Sequence, residues 1–148
     1  MEEMIIKIHD RIIELSGGEK GVREEGGIYN STFKLINHQY KNQRNPIKIG
    51  AFALNEFAKR HYFVDGNKRT AYAISKIFML INRCHLMIDY GEATNFMLKV
   101  AEHKSKVTYD DIKIWLTKYC KIIDRKDVEN YLNKAFVNVT LGSGENGE

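Results

Sequence analysis

A histidine, a carboxylate, a glycine, an asparagine and two cations fall within the eleven residues HYFVDGNKRTA, 61 to 71. Helical patterns lie on both sides of this stretch. The first backbone N–H groups of a helix lack internal partners and carry partial positive charge. A turn at Gly66, followed by Asn67 and Lys68, therefore forms an anion cradle at a helix start, with room for a ligand to approach the glycine. Lys68 adds a point charge, and Arg69 a planar fork suited to phosphate. Asp65 stands at the edge of that cationic site. A carboxylate beside phosphates is favourable when Mg²⁺ lies between them, which makes Asp65 a metal-ligand candidate. His61 carries an imidazole that can take a proton from a hydroxyl nucleophile. Phe63 is assigned to the core, where it fixes the loop. The same residues have plainer uses: Asp65 as a helix cap or surface ion pair, His61 as a complement to a helix dipole. Spacing alone supports phosphoryl or nucleotidyl transfer. The P-loop pattern and the protein-kinase signatures are absent.

The surrounding pattern predicts the elements that hold this stretch. Residues 4 to 15 place Ile5, Ile8, Ile12 and Leu15 at helical spacing. Ser16-Gly17-Gly18 ends that helix, and residues 17 to 27 contain five glycines, which predicts a loop. A short helix is expected over 29–39, with Phe33 and Ile36 inward, then a polar loop over 40–46 serving as a mobile flap. Helices follow over about 47–60 and 67–82; the latter is apolar around much of its circumference and hence central. Further helices are expected over 92–103, from a capping box at Thr108 and Asp111 to about 122, and over 126–136 after a cap at Asp124. The fold class is all-α, six or seven helices with the motif loop between two central ones. One domain spans 1–148, with its core at 4–136 and a flexible tail at 137–148.

Composition narrows the classes. The chain has 148 residues, 43% of them hydrophobic, and a net charge of +4. That suffices for a sizeable core and falls short of a nucleic-acid footprint, so no direct nucleic-acid binding is expected. No apolar run approaches the ~18 residues of a membrane span, and no signal peptide opens the chain. Cys84 and Cys120 match no zinc or C-x-x-C spacing and read as small buried hydrophobes with reduced thiols, in the cytoplasm. The aromatics Trp115, Phe78, Phe96, Tyr109 and Tyr119 read as core. His9, His38 and His103 lie outside the motif, with His9 placed where it could face the groove.

The stretch closely resembles the H-x-F-x-[D/E]-G-N-x-R loop of the Fic/Doc superfamily, with His61, Phe63, Asp65, Gly66, Asn67 and Arg69 in register. In the AMP-transferring branch the pattern is usually G-N-G-R-x-x-R; here Lys68 replaces the second glycine and Tyr72 the final arginine. GNKRTA looks instead like the Doc, or death-on-curing, branch. GGEKGVREEGGIYNSTF also resembles that branch upstream, with Arg23 at its Gly-x-Arg arginine. The resemblance runs from residue 8 to about 123. It implies a toxin of a toxin–antitoxin pair, a protein Ser/Thr phosphotransferase that moves the γ-phosphate of ATP or another NTP to elongation factor Tu and halts translation. By it, His61 is the base for the target hydroxyl and Asp65 holds Mg²⁺. Gly66, Asn67 and Lys68 cradle phosphate, Arg69 clamps it, and Arg23 orders the loop or touches the nucleotide. Tyr62 departs from the proline frequent in the family, at a position variable in the Doc branch. The tail around Thr140 and Glu145-Asn146 misses the family's inhibitory motif by one residue. The expected restraint is therefore a cognate antitoxin. Lys41, Arg44 and Lys48 near the flap could meet an acidic target or that antitoxin, although a solvated face accounts for them equally simply. Two alternatives stay open: an AMP transferase of the same fold, and a catalytically silent binding module.

Overall fold

The structure is a computed structural model that describes residues 2–137. Its centre is a pair of helices, α3 (Pro46–Lys59) and α4 (Asn67–Ile81), joined by the six residues 61–66 after the cap Arg60. α4 buries ten of its fifteen residues, including Ala71, Ile74, Ile77 and Phe78, as expected of a central helix. Its close approach to α3 depends on Gly50. A Cβ there would overlap the Met79 side chain, and Ser75 Oγ donates to the Gly50 carbonyl at 2.8 Å. Asn45 caps α3 by accepting from Lys48 N, and Pro46 sits at its first turn, where its missing N–H removes no bond.

The other helices pack around this pair: α1 (Glu2–Ser16), α2 (Glu25–Lys41), α5 (Tyr90–Ala101), α6 (Tyr109–Tyr119) and α7 (Arg125–Val137). The seven helices among the described residues bear out an all-α fold with the motif loop between two central helices. The capping box also forms. Asp111 N donates to Thr108 Oγ1 at 3.1 Å, and Thr108 N to Asp111 Oδ2 at 2.9 Å.

Several expectations are corrected. α2 starts at Glu25, so Gly26 and Gly27 are helical rather than part of the loop. Its inward face is Ile28, Ser31, Thr32 and Leu35, while Phe33 is 57% exposed. Hydroxyls can sit inside here because they find acceptors: Ser31 Oγ donates to Glu56 Oε1 and Thr32 Oγ1 to the Ile28 carbonyl. Leu15 likewise lies outside the core at 46% exposure. Of the expected flap over 40–46, Tyr40 and Lys41 end α2 and Pro46 opens α3, which leaves a tight turn over 42–45. Asn42 N bonds the His38 carbonyl, Arg44 N the Gln39 carbonyl, and Arg44 Nε donates to Asn82 Oδ1. It also sits at the far end of α3 from His61, roughly 20 Å away by helix rise.

Two short strands were not expected: β1 (Cys84–Leu86) and β2 (Cys120–Ile122) pair antiparallel, with Cys84 opposite Ile122 and Leu86 opposite Cys120. β2 takes the residues assigned to the end of α6. The pairing joins Cys84 to Cys120 as a disulfide, with Cα atoms 5.7 Å apart. The expectation of reduced thiols is thereby corrected. The partners are separated by 36 positions, and only the strand register brings them together. Among the described residues no helix is long and apolar enough to cross a membrane. The expected tail at 137–148, with Thr140, Glu145 and Asn146, lies outside the described residues except for Val137, which ends α7.

Candidate active site

The loop between α3 and α4 is built by its own side chains. Arg60 leaves α3 in an extended conformation, and Gly66 enters α4 at φ 76°, ψ 17°, the left-handed region that glycine adopts without strain. Asn67 closes the loop: its Oδ1 accepts from Phe63 N at 3.0 Å and its Nδ2 donates to the Phe63 carbonyl at 2.9 Å. The Asn67 side chain thus braces the loop, and its backbone N–H is what it can offer to phosphate. Phe63 is buried, as expected, and its ring stacks on His9 with centroids 3.8 Å apart. Tyr62, at the variable position, is also buried; its hydroxyl meets Ser31 Oγ, and burial pushes its pKa above the usual value. Gly27 makes room for that ring, since a Cβ there would lie 2.5 Å from Tyr62 Cε1.

The glycine-containing segment before α2 forms the second wall. Val22 and Phe63 make an isolated antiparallel bridge. Val64 N donates to the Gly21 carbonyl at 3.0 Å, and Arg23 N to the Tyr62 carbonyl at 2.7 Å. Arg23 is therefore fixed beside the loop by its backbone, with its side chain exposed.

Asp65 lies between the two walls. Gly66 N donates to its Oδ1 at 2.7 Å and Glu19 N to its Oδ2 at 3.2 Å, with Arg69 Nη2 3.7 Å from Oδ1. Those amide bonds, Glu19 first and Gly66 next, hold its pKa below the usual carboxylate value. A depressed folded pKa stabilises the fold above the unfolded value of about 3.9, and that contribution disappears as pH falls through the folded pKa. Asp65→Asn is therefore expected to melt below wild type at pH 7 in chelator, and the gap should close in acid. A gap that stays constant from pH 7 to pH 2 would contradict this account.

Arg69 Nη1 donates to Ser16 Oγ at 2.6 Å and to the Gly17 carbonyl at 2.8 Å. It ties the end of α1 to the start of α4 and leaves its Nη2 edge beside Asp65. Lys68 is exposed at the first turn of α4. Thr70 N bonds the Gly66 carbonyl, so the N–H groups of Asn67, Lys68 and Arg69 precede the first helical bond of α4. His61 is exposed and takes no hydrogen bond among the described residues.

The structure thus gathers Asp65, Gly66, Asn67, Lys68 and Arg69 at one helix start, with His61 opening the loop that leads to it. A cation suits Asp65: its carboxylate is held ionised and is 46% exposed. Mg²⁺ needs only one or two protein carboxylates when phosphate oxygens and water complete its shell. Motif reading did not assign roles to His9, Ser16 and Gly18. Gly18 sits against the charged pair, where a Cβ would lie 2.5 Å from Asp65 Oδ2 and 3.1 Å from Arg69 Nη2. The sequence positions of these three residues give no signal: His9 lies in the middle of α1, Ser16 ends it and Gly18 follows it, and only the contacts join them to the site.

A model of the Fic/DOC family matches residues 1–79, slightly more than half of the chain and all of the site residues above. No curated protein matches the chain.

Proposed function

This chain belongs to the Fic/DOC family, whose members generally transfer nucleotide or phosphate groups to proteins, and from that premise we propose that it is a Doc-like protein kinase. In this reading it is the toxin of a toxin–antitoxin pair and moves the γ-phosphate of ATP or another NTP to a hydroxyl of elongation factor Tu. The observation that carries the reading is the pair Lys68 and Tyr72. Lys68 is an exposed cation where an AMP-transferring cradle has glycine. Tyr72 is 1% exposed, a buried aromatic where that branch places a second phosphate-binding arginine. A cradle filled in one place and lacking the far clamp in the other favours a nucleotide that presents its γ-phosphate to the acceptor.

The chain's residues then divide the work. His61 takes the proton of the acceptor hydroxyl. The oxygen bonds to the γ-phosphorus as the bond to the β–γ bridging oxygen breaks, and the nucleoside diphosphate leaves. The α4 N-terminus, Lys68 and Arg69 bear the charge on the transferred group, which positioning and electrostatics can accomplish without a covalent intermediate. Mg²⁺, held by Asp65 when bound, would neutralise phosphate charge. Restraint comes from a cognate antitoxin; the turn with Arg44 lies away from the site, so that contact need not cover the chemistry.

The test is a paired labelling assay with elongation factor Tu, Mg²⁺ and ATP labelled at either the α- or the γ-phosphate. Label from γ alone is expected. Label from α would make the protein an AMP transferase despite Lys68. No label, together with no thermal stabilisation by Mg²⁺ and any nucleotide, would favour a silent binding module.

A further inference from the structure

α1 buries His9 completely, yet its ring is committed to the motif loop. The ring lies flat on Phe63, 6° from parallel, and Nε2 is 2.6 Å from the Asp65 carbonyl oxygen. A carbonyl can only accept, so the bond places a proton on Nε2. The other nitrogen, Nδ1, is 3.4 Å from Asp10 Oδ1, too long for a strong bond.

The position of that carbonyl fixes the peptide. In a trans peptide the C=O and N–H point in opposite directions. With the Asp65 carbonyl drawn inward to α1, the Gly66 N–H faces the opposite way, where Asp65 Oδ1 accepts it. Gly66, at φ 76°, is also the residue type that most readily lets the preceding peptide turn over. A turned peptide would aim a carbonyl at the phosphate cradle and remove one of the two amide donors on Asp65. A leucine would fill the space between helices without the desolvation of an imidazole. The imidazole's one strong bond goes to the peptide that must not turn.

We propose that His9 is a positioning residue, a lock on the Asp65–Gly66 peptide that keeps its N–H on the Asp65 carboxylate and its carbonyl out of the phosphate cradle. The purpose of the lock rests on the phosphate-transfer reading; its geometry does not. Nothing in the lock touches substrate, so its effect on catalysis is indirect.

The experiment compares His9→Phe, which keeps a ring on Phe63 and removes the donor, with His9→Gln, which keeps a donor. His9→Met, similar in size to Gln but without the donor, provides a second pair should the Phe variant not fold. Two readouts are used: the Gly66 amide in glycine-labelled protein by NMR, and the affinity for inorganic pyrophosphate by calorimetry. In His9→Phe and His9→Met the Gly66 amide is expected to shift and exchange about tenfold faster, and pyrophosphate to bind about tenfold more weakly. His9→Gln is expected to restore both toward wild type. An unmoved Gly66 amide in both donor-free variants overturns the lock. Equal losses in His9→Gln and His9→Met also overturn it, leaving simple packing. If wild type binds no pyrophosphate, the assigned purpose falls, while the Gly66 comparison still decides the geometry.

Discussion

His61→Ala is expected to lower γ-phosphate transfer by about 10²–10⁴-fold, the usual contribution of a positioned general base. The melting temperature should barely move. His61 is exposed and makes no hydrogen bond among the described residues, and surface substitutions of this kind usually stay within about 0.5 kcal/mol. Nucleotide affinity should also hold, because the residues proposed to bind phosphate on α4, Asn67, Lys68 and Arg69, lie six or more positions further on. That pattern, a large fall in turnover with binding and stability kept, is what loss of a transition-state interaction looks like. The measurement is single-turnover labelling at saturating ATP, with thermal melts alongside. A variant that transfers label at the wild-type rate would remove His61 from the chemistry. A variant that melts several degrees lower would mean that His61 holds the loop instead.

How much of this was readable beforehand depends on whether the signal was local. α4 announced itself through apolar residues on most of its circumference, and Thr108 with Asp111 through three-residue spacing; both depend on neighbours in sequence. The motif was legible for the same reason: Gly66, Asn67, Lys68 and Arg69 are consecutive. Contacts between distant segments were not legible. Phe33 looked like the inward residue of α2 because it is apolar, but Ser31 and Thr32 take the core face once Glu56 and the helix's own carbonyl accept their hydroxyls. Cys84 and Cys120 meet through strands too short to leave an alternating pattern. His9 reads from the sequence as a histidine placed where it could face the groove, but its partner is a backbone carbonyl 56 positions away, which carries no sequence signature.

The glycines near the end of α1 extend that point into a graded experiment. The sequence presents five between 17 and 27 as one class, and the structure separates them. Gly26 is helical with open space around it, so Gly26→Ala is expected to be neutral or to stabilise by about 0.5–1 kcal/mol. Gly17 also has open space but sits at φ 87°, so Gly17→Ala should cost about 1–2 kcal/mol through the backbone alone, with transfer retained. Gly18→Ala meets both penalties at once. Its φ of 119° disfavours any side chain, and the new Cβ would lie 2.5 Å from Asp65 Oδ2 and 3.1 Å from both Arg69 Nη2 and Ile13 Cδ1. Neither charged group can retreat freely. Asp65 is held by the amides of Glu19 and Gly66, and Arg69 by Ser16 and Gly17. The strain therefore falls on the site, and a displacement of the order of 1 Å there can lower transfer by about 10²-fold. Stability should drop by roughly 1–3 kcal/mol. Melts and labelling rates on the three variants decide the matter. Transfer lost in step with stability across Gly17→Ala and Gly18→Ala would reduce Gly18 to a backbone joint. Transfer lost at Gly18 far beyond what its melting shift accounts for would identify this glycine as the clearance that Asp65 and Arg69 need to keep their place.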